Sequence, residues 1–569
     1  MSGVRNNNHT VVWLGLATCA WLMLFVWQGL DFTDMGFWLT GYQQFYANPD
    51  TLYGPCWLSY FIGHWIGLAL GGGVLAYKLG YVVVVTTSAI IAYRLLASQL
   101  GYRSFLAGLV LLTVVFAARS VEHWIDYNNL TALFYVAGAA LLFHGLTKNR
   151  LPLVSLAGVV LAANLFVRFP NLLGVSLVAA VWLWAWSCRW SLRKTAITSA
   201  IFLAGFVVGV ALMGGVIELH GHREFYLQGV AFVFGMAGNA SSHHSGGLLV
   251  KMLVLDHGMA ICFGVGSAAL GAWVAYRLSK INLRFVVGIV LCAAIGLALA
   301  SHYRGSWLVC TVPGFCYTVL GMVVVREARR NPALTLIAFI AGMVLFLAPL
   351  GSGNGMQNAV YGMYLALPLS LMLVWKGKGL FWGRAALDNM SGKILVMTIV
   401  LALAIHSVHT AWGYTYRDSA NRVAMTSLVN HPKLVATYTT EQRAKVVAEV
   451  IAALDKYVQP GDELLAYNSI GLIHFITQTK PWLGNAWPMS LQPDELATLI
   501  ARKEWEAERL PVVVRARVNT CSFDWPSDSP FVTTNSRLST NRTIFQSFLD
   551  RHAYTSVWAN DTFEILVAD

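Results

Sequence analysis

Apolar runs of about 20 residues recur along this chain from residue 11 to residue 412, and they constrain its fold more than any other feature. A run of this length crosses the hydrocarbon core of a bilayer as one α-helix. Hydrophobic residues make up 57% of the 569 residues and charged residues 12%, about half the charged fraction of a soluble protein. We therefore predict a polytopic α-helical membrane protein.

About 13 transmembrane helices fit the pattern of apolar runs. They are predicted over residues 11–30, 79–98, 104–121, 129–147, 151–167, 171–188, 195–217, 257–277, 285–301, 307–325, 333–350, 358–375 and 394–412. A further apolar run, residues 57–77, is interpreted as an aromatic helix that lies in the membrane interface. Counting it as a span would place the arginine-rich loops on the outer side.

The charges of the loops set the predicted orientation. The loops assigned to the inner side hold eighteen basic residues and two acids, whereas the outer loops up to residue 412 hold six basic residues and eight acids. Cytoplasmic loops are enriched in Lys and Arg, so the N-terminus is predicted to be cytoplasmic and the C-terminal segment to lie outside. The net charge of +12 is thus explained by topology, and no basic block mixed with aromatics indicates nucleic-acid binding.

Two domains are predicted. Residues 1–413 form the membrane domain, with two long outer loops at residues 31–80 and 218–256, and residues 414–569 form a soluble domain. In the second domain helical patterns alternate with strand patterns at residues 462–467, 511–515, 554–558 and 563–567, which favours an α/β fold with a partly parallel sheet. No P-loop and no GxGxxG motif occurs, so no nucleotide cofactor is predicted.

Acidic residues at the outer face are the first candidates for chemistry. Asp31 and Asp34 follow the first span directly, and Asp126 opens the fourth. A carboxylate near hydrocarbon is costly and therefore indicates function. A carboxylate could act as general base toward an acceptor hydroxyl, or several could hold a divalent metal through oxygen ligands. The alternative for Asp31 and Asp34 is that they cap the next short helix.

Basic residues share that face. Lys78, Arg168 and Arg304 are candidates for binding a phosphate group, which Arg can contact with two parallel hydrogen bonds. The alternative for Lys78 and Arg304 is that they extend to lipid headgroups. Arg168 could instead form a structural pair with Asp126.

Polar residues in two outer loops complete the candidate site. His243 and His244 lie in the Gly/Ser/His part of the loop at residues 218–256, which is either a mobile lid over a substrate or a flexible connector. Asn354 and Tyr361 follow the eleventh span in a Gly-rich segment. These four residues are predicted to line the substrate site.

The chain resembles the GT-C glycosyltransferases, membrane enzymes that include protein mannosyltransferases and aminoarabinose lipid A transferases. The resemblance covers the architecture of the whole chain. It is carried at motif level by Asp31-Phe-Thr-Asp34-Met-Gly36-Phe-Trp38, by Leu52-Tyr-Gly-Pro55 and by Asp126. The family often has Asp-Glu in the acidic motif, and Met35 stands where that Glu would be. The base is therefore left open between Asp34 and Asp31.

The resemblance implies an activity. Such enzymes transfer a sugar from a polyprenyl-phosphate-linked donor to a glycan, lipid or protein acceptor on the outer, periplasmic side of the membrane. Asp34 would be the catalytic base, supported by Asp31 and Asp126, which could also bind Mg²⁺ or Mn²⁺ if a metal is used. Lys78, Arg168 and Arg304 would hold the donor phosphate. The resemblance also implies a bacterial inner membrane.

Two other functions compete with this interpretation. An O-antigen ligase or polymerase would also act on polyprenyl carriers outside the membrane, but such enzymes generally place their key outer loop late in the chain. A non-enzymatic transporter or flippase of lipid-linked sugars would show half-to-half repeats and charged residues at mid-membrane. No repeat is evident here, and the ionisable residues cluster at one face.

Overall fold

A computed structural model gives the fold of most of the chain. It describes residues 2–52, 54–119, 123–238, 246–278, 306–352, 354–377, 389–523, 525–526 and 536–568. The ninth predicted span and the site residues His243, His244 and Arg304 lie outside the described residues.

Sixteen helices are described between the N-terminus and residue 413. They are α1 (Ser2–Met23), α2 (Asp34–Gln43), α3 (Trp57–Leu70), α4 (Val74–Leu100), α5 (Arg103–Ala117), α6 (Tyr127–Thr147), α7 (Leu151–Val167), α8 (Ala179–Ser187), α9 (Leu192–Leu219), α10 (Arg223–Gly238), α11 (Gly246–Lys251), α12 (His257–Leu278), α13 (Ser306–Glu327), α14 (Pro332–Leu347), α15 (Met363–Trp375) and α16 (Asn389–Gly413). Segments of 3-10 helix, Phe169–Val178 and Gly355–Gly362, lead directly into α8 and α15.

Each predicted span that lies within the described residues overlaps one of these helices, but the first span, residues 11–30, extends seven residues beyond the end of α1 at Met23. Among the described residues, six helical segments are long and apolar enough to cross a membrane: Val74–Leu100, Tyr127–Thr147, Phe169–Ser187, Leu192–Leu219, Gly355–Trp375 and Met390–Gly413. Shorter apolar helices such as α5, α7 and α14 pack beside them. The protein is thus an integral membrane protein, while the predicted number of about 13 spans is not confirmed.

Helix α3 covers residues 57–70 of the run that was interpreted as interfacial, and residues 74–77 of that run belong instead to the start of α4. Helix α3 has 14 residues, fewer than the roughly 20 that a membrane span needs. One face, with Trp57 and Tyr60, is buried, whereas Trp65 and Leu68 are exposed. The interfacial position of this helix stays a prediction.

The C-terminal region contains a five-stranded mixed sheet of order β4-β3-β5-β7-β6. Strands β3 and β5 are parallel neighbours, whereas β7 runs antiparallel to β5 and to β6. The strands are β3 (Glu463–Tyr467), β4 (Lys480–Pro481), β5 (Val512–Ala516), β6 (Thr555–Ala559) and β7 (Phe563–Val567), preceded by the short hairpin of β1 (Ser427–Leu428) and β2 (Tyr438–Thr439). The helices are α17 (Glu441–Leu454), α18 (Leu472–Thr477), α19 (Pro493–Glu506) and α20 (Ser536–Arg551). The strands predicted from alternation are all present.

The loop predicted at residues 31–80 and the C-terminal sheet region share one hydrophobic core. Met35 and Leu39 of α2 pack in the same buried cluster as Leu472 and Phe475 of α18. The amide of Leu472 donates to the carbonyl of Phe32 at 3.0 Å. This shared core fixes the start of α2, and with it the acidic motif, against the C-terminal region.

Candidate functional site

Asp34 lies at the first position of α2, and both of its carboxylate oxygens contact the segment that follows α16. The hydroxyl of Tyr416 donates to Oδ2, and Nη1 of Arg417 lies 3.0 Å from Oδ1. The side chains of Asp34 and Arg417 are partly exposed, at 21% and 24%. Asp34 is therefore a carboxylate held in place by two partners that an entering molecule can still reach.

Arg417 was not predicted from the sequence. Its guanidinium lies over the ring of Tyr416 and, at 5.9 Å, over the ring of Trp487. Burial opposes the charge on Arg417, but the carboxylates of Asp34 and Asp31 outweigh it and raise the pKa of Arg417, so the guanidinium stays charged. Arg417 is a cation shortly after the last predicted span, and this position in the sequence could have indicated that it lies at the same membrane face as the acidic motif.

Asp31 caps the start of α2, which is the alternative to a catalytic role that the sequence analysis gave for it. It is 1% exposed, and its two oxygens accept from the amides of Thr33 at 2.9 Å and Met35 at 2.8 Å. Burial raises the pKa of Asp31 to about 7, and the charge of Asp34 adds to the rise while Arg417 opposes it. Asp31 therefore fixes the first turn of α2 and leaves Asp34 as the carboxylate turned to the site.

Asp126 is also a cap, at the start of α6. Its carboxylate accepts from the amides of Asn128 and Asn129, each at 3.0 Å, and from both of their side chains. Burial raises the pKa of Asp126 to about 6, with a smaller contribution in the same direction from Asp34. The charge of Asp34 thus acts on both Asp31 and Asp126, so the structure brings the three predicted carboxylates into one region.

Arg168 follows α7 and is buried. Its Nη2 donates to the carbonyls of Ala348 at 2.7 Å and Leu350 at 3.0 Å, so it fastens the end of α14. The predicted pairing with Asp126 is not found among the ion pairs of the described residues. Its Nε is buried without a hydrogen-bond partner in the described part of the chain.

Lys78 is buried near the start of α4. Its ammonium group donates to the carbonyls of Gln28 at 2.9 Å and Gly29 at 2.7 Å, which closes the turn between α1 and the acidic motif. In this structure the ammonium group of Lys78 and Nη2 of Arg168 both donate to backbone carbonyls, and a role in phosphate binding stays a prediction for both residues.

The Gly-rich segment after α14 touches the Asp126 cap. Asn358 donates to Ser352 Oγ at 2.7 Å and to the side chain of Asn128 at 3.4 Å. Of the two residues predicted there, Asn354 is exposed, whereas Tyr361 is buried in the core of the membrane helices. A substrate role remains a prediction for both.

The start of the second long outer loop is helical and contacts the first loop. The hydroxyl of Tyr46 lies 3.0 Å from Nδ1 of His220, and Nε1 of Trp57 donates to Nδ1 of His222 at 3.0 Å. Within the described residues, the loop therefore continues as α10 rather than as an irregular connector. His243 and His244 lie beyond the described part of this loop.

The predicted metal site was tested against the donor atoms. No group of three or more His, Cys, Asp or Glu side chains within the described ranges could hold a metal ion. The oxygens of Asp31 and Asp126 accept hydrogen bonds from the first turns of α2 and α6, and those of Asp34 contact Tyr416 and Arg417. This donor set, within the described residues, does not fit Mg²⁺ or Mn²⁺.

Comparison with known proteins gives structural similarities only. No protein-family model and no curated protein sequence matches this chain. The chain is similar to the crystal structure of ArnT from Cupriavidus metallidurans bound to undecaprenyl phosphate, at 11% identity and a TM-score of 0.47 over 98% of each chain. The apo state of that protein gives 10% identity and a TM-score of 0.48 over 96% of each chain.

An archaeal structure is also similar. The apo oligosaccharyltransferase of Archaeoglobus fulgidus is matched at 11% identity and a TM-score of 0.43, over 89% of this chain and 69% of that one. Because these TM-scores lie below 0.5, no ligand, activity or site residue is transferred from these structures to this chain.

Proposed function

We propose that this protein is a membrane glycosyltransferase that moves a sugar from a polyprenyl-phosphate-linked donor to an acceptor hydroxyl at the outer, periplasmic face. The observation that carries the proposal is the arrangement at Asp34. Of the three candidate carboxylates, Asp31 and Asp126 are buried helix caps, and Asp34 alone is partly exposed beside a charged guanidinium. A carboxylate next to a guanidinium suits the transfer of a group away from a phosphate.

In the proposed reaction, Asp34 accepts the proton of the acceptor hydroxyl as the acceptor oxygen bonds to the anomeric carbon. The bond between that carbon and the phosphate oxygen breaks, and polyprenyl phosphate leaves with the bonding electrons. Arg417 stabilises the charge that develops on the leaving phosphate. Its Nη1 faces Asp34, and a guanidinium has five N–H donors, so others remain to contact an anion.

The surroundings of Asp34 support this assignment. The cap formed by Asp31 fixes the first turn of α2, and the shared core with α18 holds that turn against the C-terminal region. A base held on a fixed element keeps its orientation toward the acceptor, which general-base catalysis requires.

The test is Asp34→Asn, with Asp50→Asn as the matched control. Asp50 is an exposed carboxylate of the same loop that lies outside the candidate site. Membranes that contain the protein are given a panel of radiolabelled polyprenyl-phosphate sugars, and loss of sugar from the donor is followed. We expect transfer by the original protein and by Asp50→Asn, and a reduction of roughly 100-fold or more for Asp34→Asn.

Unchanged transfer by Asp34→Asn would refute the base assignment. If the original protein transferred none of the sugars above the level of membranes that lack it, the glycosyltransferase proposal would fail.

A further inference from the structure

A polar crevice opens at one edge of the C-terminal sheet. It lies where the parallel strands β3 and β5 end, at Tyr467 and Ala516, and has a volume of about 730 Å³. Ligands of open α/β sheets bind in crevices outside the carboxyl ends of parallel strands, and small-molecule sites have volumes of about 300–1,000 Å³. The place and the size of this crevice both fit a ligand of one or two sugar units.

Helix α20 forms the opposite wall. Ser539, Arg542, Thr543 and Gln546 line the crevice, and their spacing of three, four and seven residues puts them on one helix face. Hydroxyl and amide groups thus alternate with a guanidinium along this wall. Such a surface offers hydrogen bonds to a ligand rich in hydroxyl groups.

Positive charge dominates the lining. Three arginines, Arg515, Arg517 and Arg542, face the crevice with one carboxylate, that of Glu564. Glu564 accepts from Nε of Arg515 at 2.8 Å, so its charge is matched by Arg515. Among the described lining residues, guanidinium groups thus outnumber carboxylates by three to one, a balance of charge that favours an anion.

Arg515 is held rigidly at the base of the crevice. Besides Glu564, it donates to the hydroxyl of Tyr467 at 3.3 Å and to Oε1 of Gln546 at 3.2 Å. The ring of Tyr467 is stacked on Phe545 at 4.5 Å. A guanidinium fixed by three partners loses little freedom when it contacts a ligand.

Asn468 connects the ends of the two parallel strands at the crevice. It lines the crevice, is 2% exposed, and has a backbone φ of 70°, a conformation that costs free energy in a residue with a side chain. Its Nδ2 donates to the carbonyl of Ala516, while its Oδ1 is buried with no hydrogen-bond partner in the described part of the chain. The hydrogen bond to Ala516 therefore fixes the ends of β3 and β5 relative to each other at the crevice.

The crevice adjoins the candidate active site through the next residue. The carbonyl of Ser469 accepts from Oγ1 of Thr33, the residue before Asp34, at 3.0 Å. The hydroxyl of Ser469 accepts from Nε1 of Trp487, and the ring of Trp487 lies beneath the guanidinium of Arg417. One short loop therefore contacts both the crevice and the acidic motif.

We propose that this crevice binds a saccharide that carries a phosphate or carboxylate group, and that this saccharide is part of the acceptor. The anionic group contacts Arg517 and Arg542, and the sugar hydroxyls contact Ser539 and Thr543. The identification with the acceptor rests on the proposed function, whereas the binding of an anionic saccharide does not.

The first test measures binding to the full chain in detergent by equilibrium dialysis. The radiolabelled probes are glucose 6-phosphate, glucuronate and glucose, and the first two distinguish a phosphate from a carboxylate as the anionic group. We expect at least one anionic sugar to bind at least about tenfold more tightly than glucose, since a charge-assisted hydrogen bond is worth more than a neutral one. Equal binding of all three probes would overturn the proposal.

The variant is Thr543→Glu, and the matched control is Thr498→Glu. Both threonines are exposed, lie within helices and donate to the carbonyl four residues earlier, but Thr498 is on α19 and outside the crevice. We expect Thr543→Glu to weaken binding of the anionic sugar by roughly tenfold or more through charge repulsion, and Thr498→Glu to leave it unchanged. Melting temperatures verify that both variants fold. Equal effects of the two substitutions would contradict the assignment of the crevice.

Transfer assays separate this proposal from the proposed function. If the proposed function and the proposed crevice are both correct, Arg542→Gln raises the KM for the acceptor, while the rate of sugar loss from the donor at saturating acceptor stays the same. The control Arg502→Gln on α19 changes neither the KM nor this rate. Binding of an anionic sugar without any transfer by the original protein would retain the crevice and reject its link to an acceptor. Transfer that persists without such binding would reject the crevice alone.

Discussion

At the scale of single residues, the site depends on which carboxylate is left accessible. Asp31, Asp34 and Asp126 have the same chemistry, but two of them are buried caps whose oxygens accept from backbone amides. Asp34 instead contacts side chains, Tyr416 and Arg417, which can rearrange around an entering substrate. The difference in partners, rather than residue type, therefore separates a candidate base from its structural neighbours.

Substituting Arg417 tests the role of the guanidinium. We expect Arg417→Gln to lower transfer by roughly 10- to 100-fold, because a charge-assisted contact to the donor phosphate is worth about 1.5–3 kcal/mol. Arg417→Lys restores part of the rate, since the charge remains but the forked geometry is lost. Initial rates at varied donor concentration measure the effect, and the exposed Arg502→Gln serves as control. Full activity of Arg417→Gln would exclude the proposed contact.

The pKa of Asp31 gives the protein a pH-dependent stability. Because the folded-state pKa is about 7 and the ordinary value is 3.8, the folded protein binds the proton more tightly than the unfolded chain. This contribution is fully present below pH 3.8 and is lost as pH rises toward 7. Asn at this position does not titrate, so the melting temperature of Asp31→Asn should rise relative to the original protein between pH 4 and pH 7. A difference that stayed constant over this range would contradict the prediction.

At the scale of elements, the contact between α2 and α18 joins the membrane helices to the outer sheet. A Cβ added at Gly36 would lie 2.0 Å from the amide nitrogen of Leu472 and 2.6 Å from its Cα. Thr40 Oγ1 donates to the carbonyl of Gly471 at 3.2 Å across the same contact. Only a glycine lets the two helices approach this closely, so Gly36 sets the position of Asp34 relative to the sheet region.

We expect Gly36→Ala to destabilise the protein by about 1–3 kcal/mol, the usual cost of overpacking against backbone atoms. Gly108→Ala is the matched control: Gly108 also lies within a helix, and a Cβ there meets nothing within 4 Å. The control should be neutral or stabilising, since alanine favours a helix by roughly 1 kcal/mol over glycine. Thermal unfolding in detergent measures both variants. Equal melting temperatures would show that the contact tolerates a side chain.

At the scale of the whole molecule, a buried ion pair and a shared core connect the two regions. Asp418 pairs with Arg443 and accepts from the amide of Leu30 at 2.7 Å, so the segment after α16, helix α17 and the first loop meet at one carboxylate. The candidate site lies at this junction. The sheet region and the membrane helices are therefore expected to keep the same positions relative to the site, whichever substrate binds.

The predicted orientation requires this junction to face outward. Alkaline phosphatase fused after residue 569 should be active in intact bacteria, because the enzyme folds only outside the cytoplasm. Green fluorescent protein fused after Arg330, in a loop predicted to be inside, should fluoresce. An inactive phosphatase with a fluorescent protein at the C-terminus would reverse the orientation and place Asp34 on the cytoplasmic side.

The sequence by itself determined that the chain is a helical membrane protein and where the acidic motif lies along it. Both are local properties: a run of apolar residues is long enough to span a bilayer whatever it packs against, and Asp34 follows such a run directly. The strands of the outer sheet were also predicted, since alternation marks a half-buried strand without knowledge of its neighbours.

Only the tertiary structure decided which of the predicted residues face the site. Tyr416 reaches Asp34 across 382 positions of sequence, and Lys78 uses its charge on the carbonyls of Gln28 and Gly29. Such partners depend on how distant segments pack, and no local pattern records them. The same holds for the arginine-lined crevice, because β3, β5, β7 and α20 form it together.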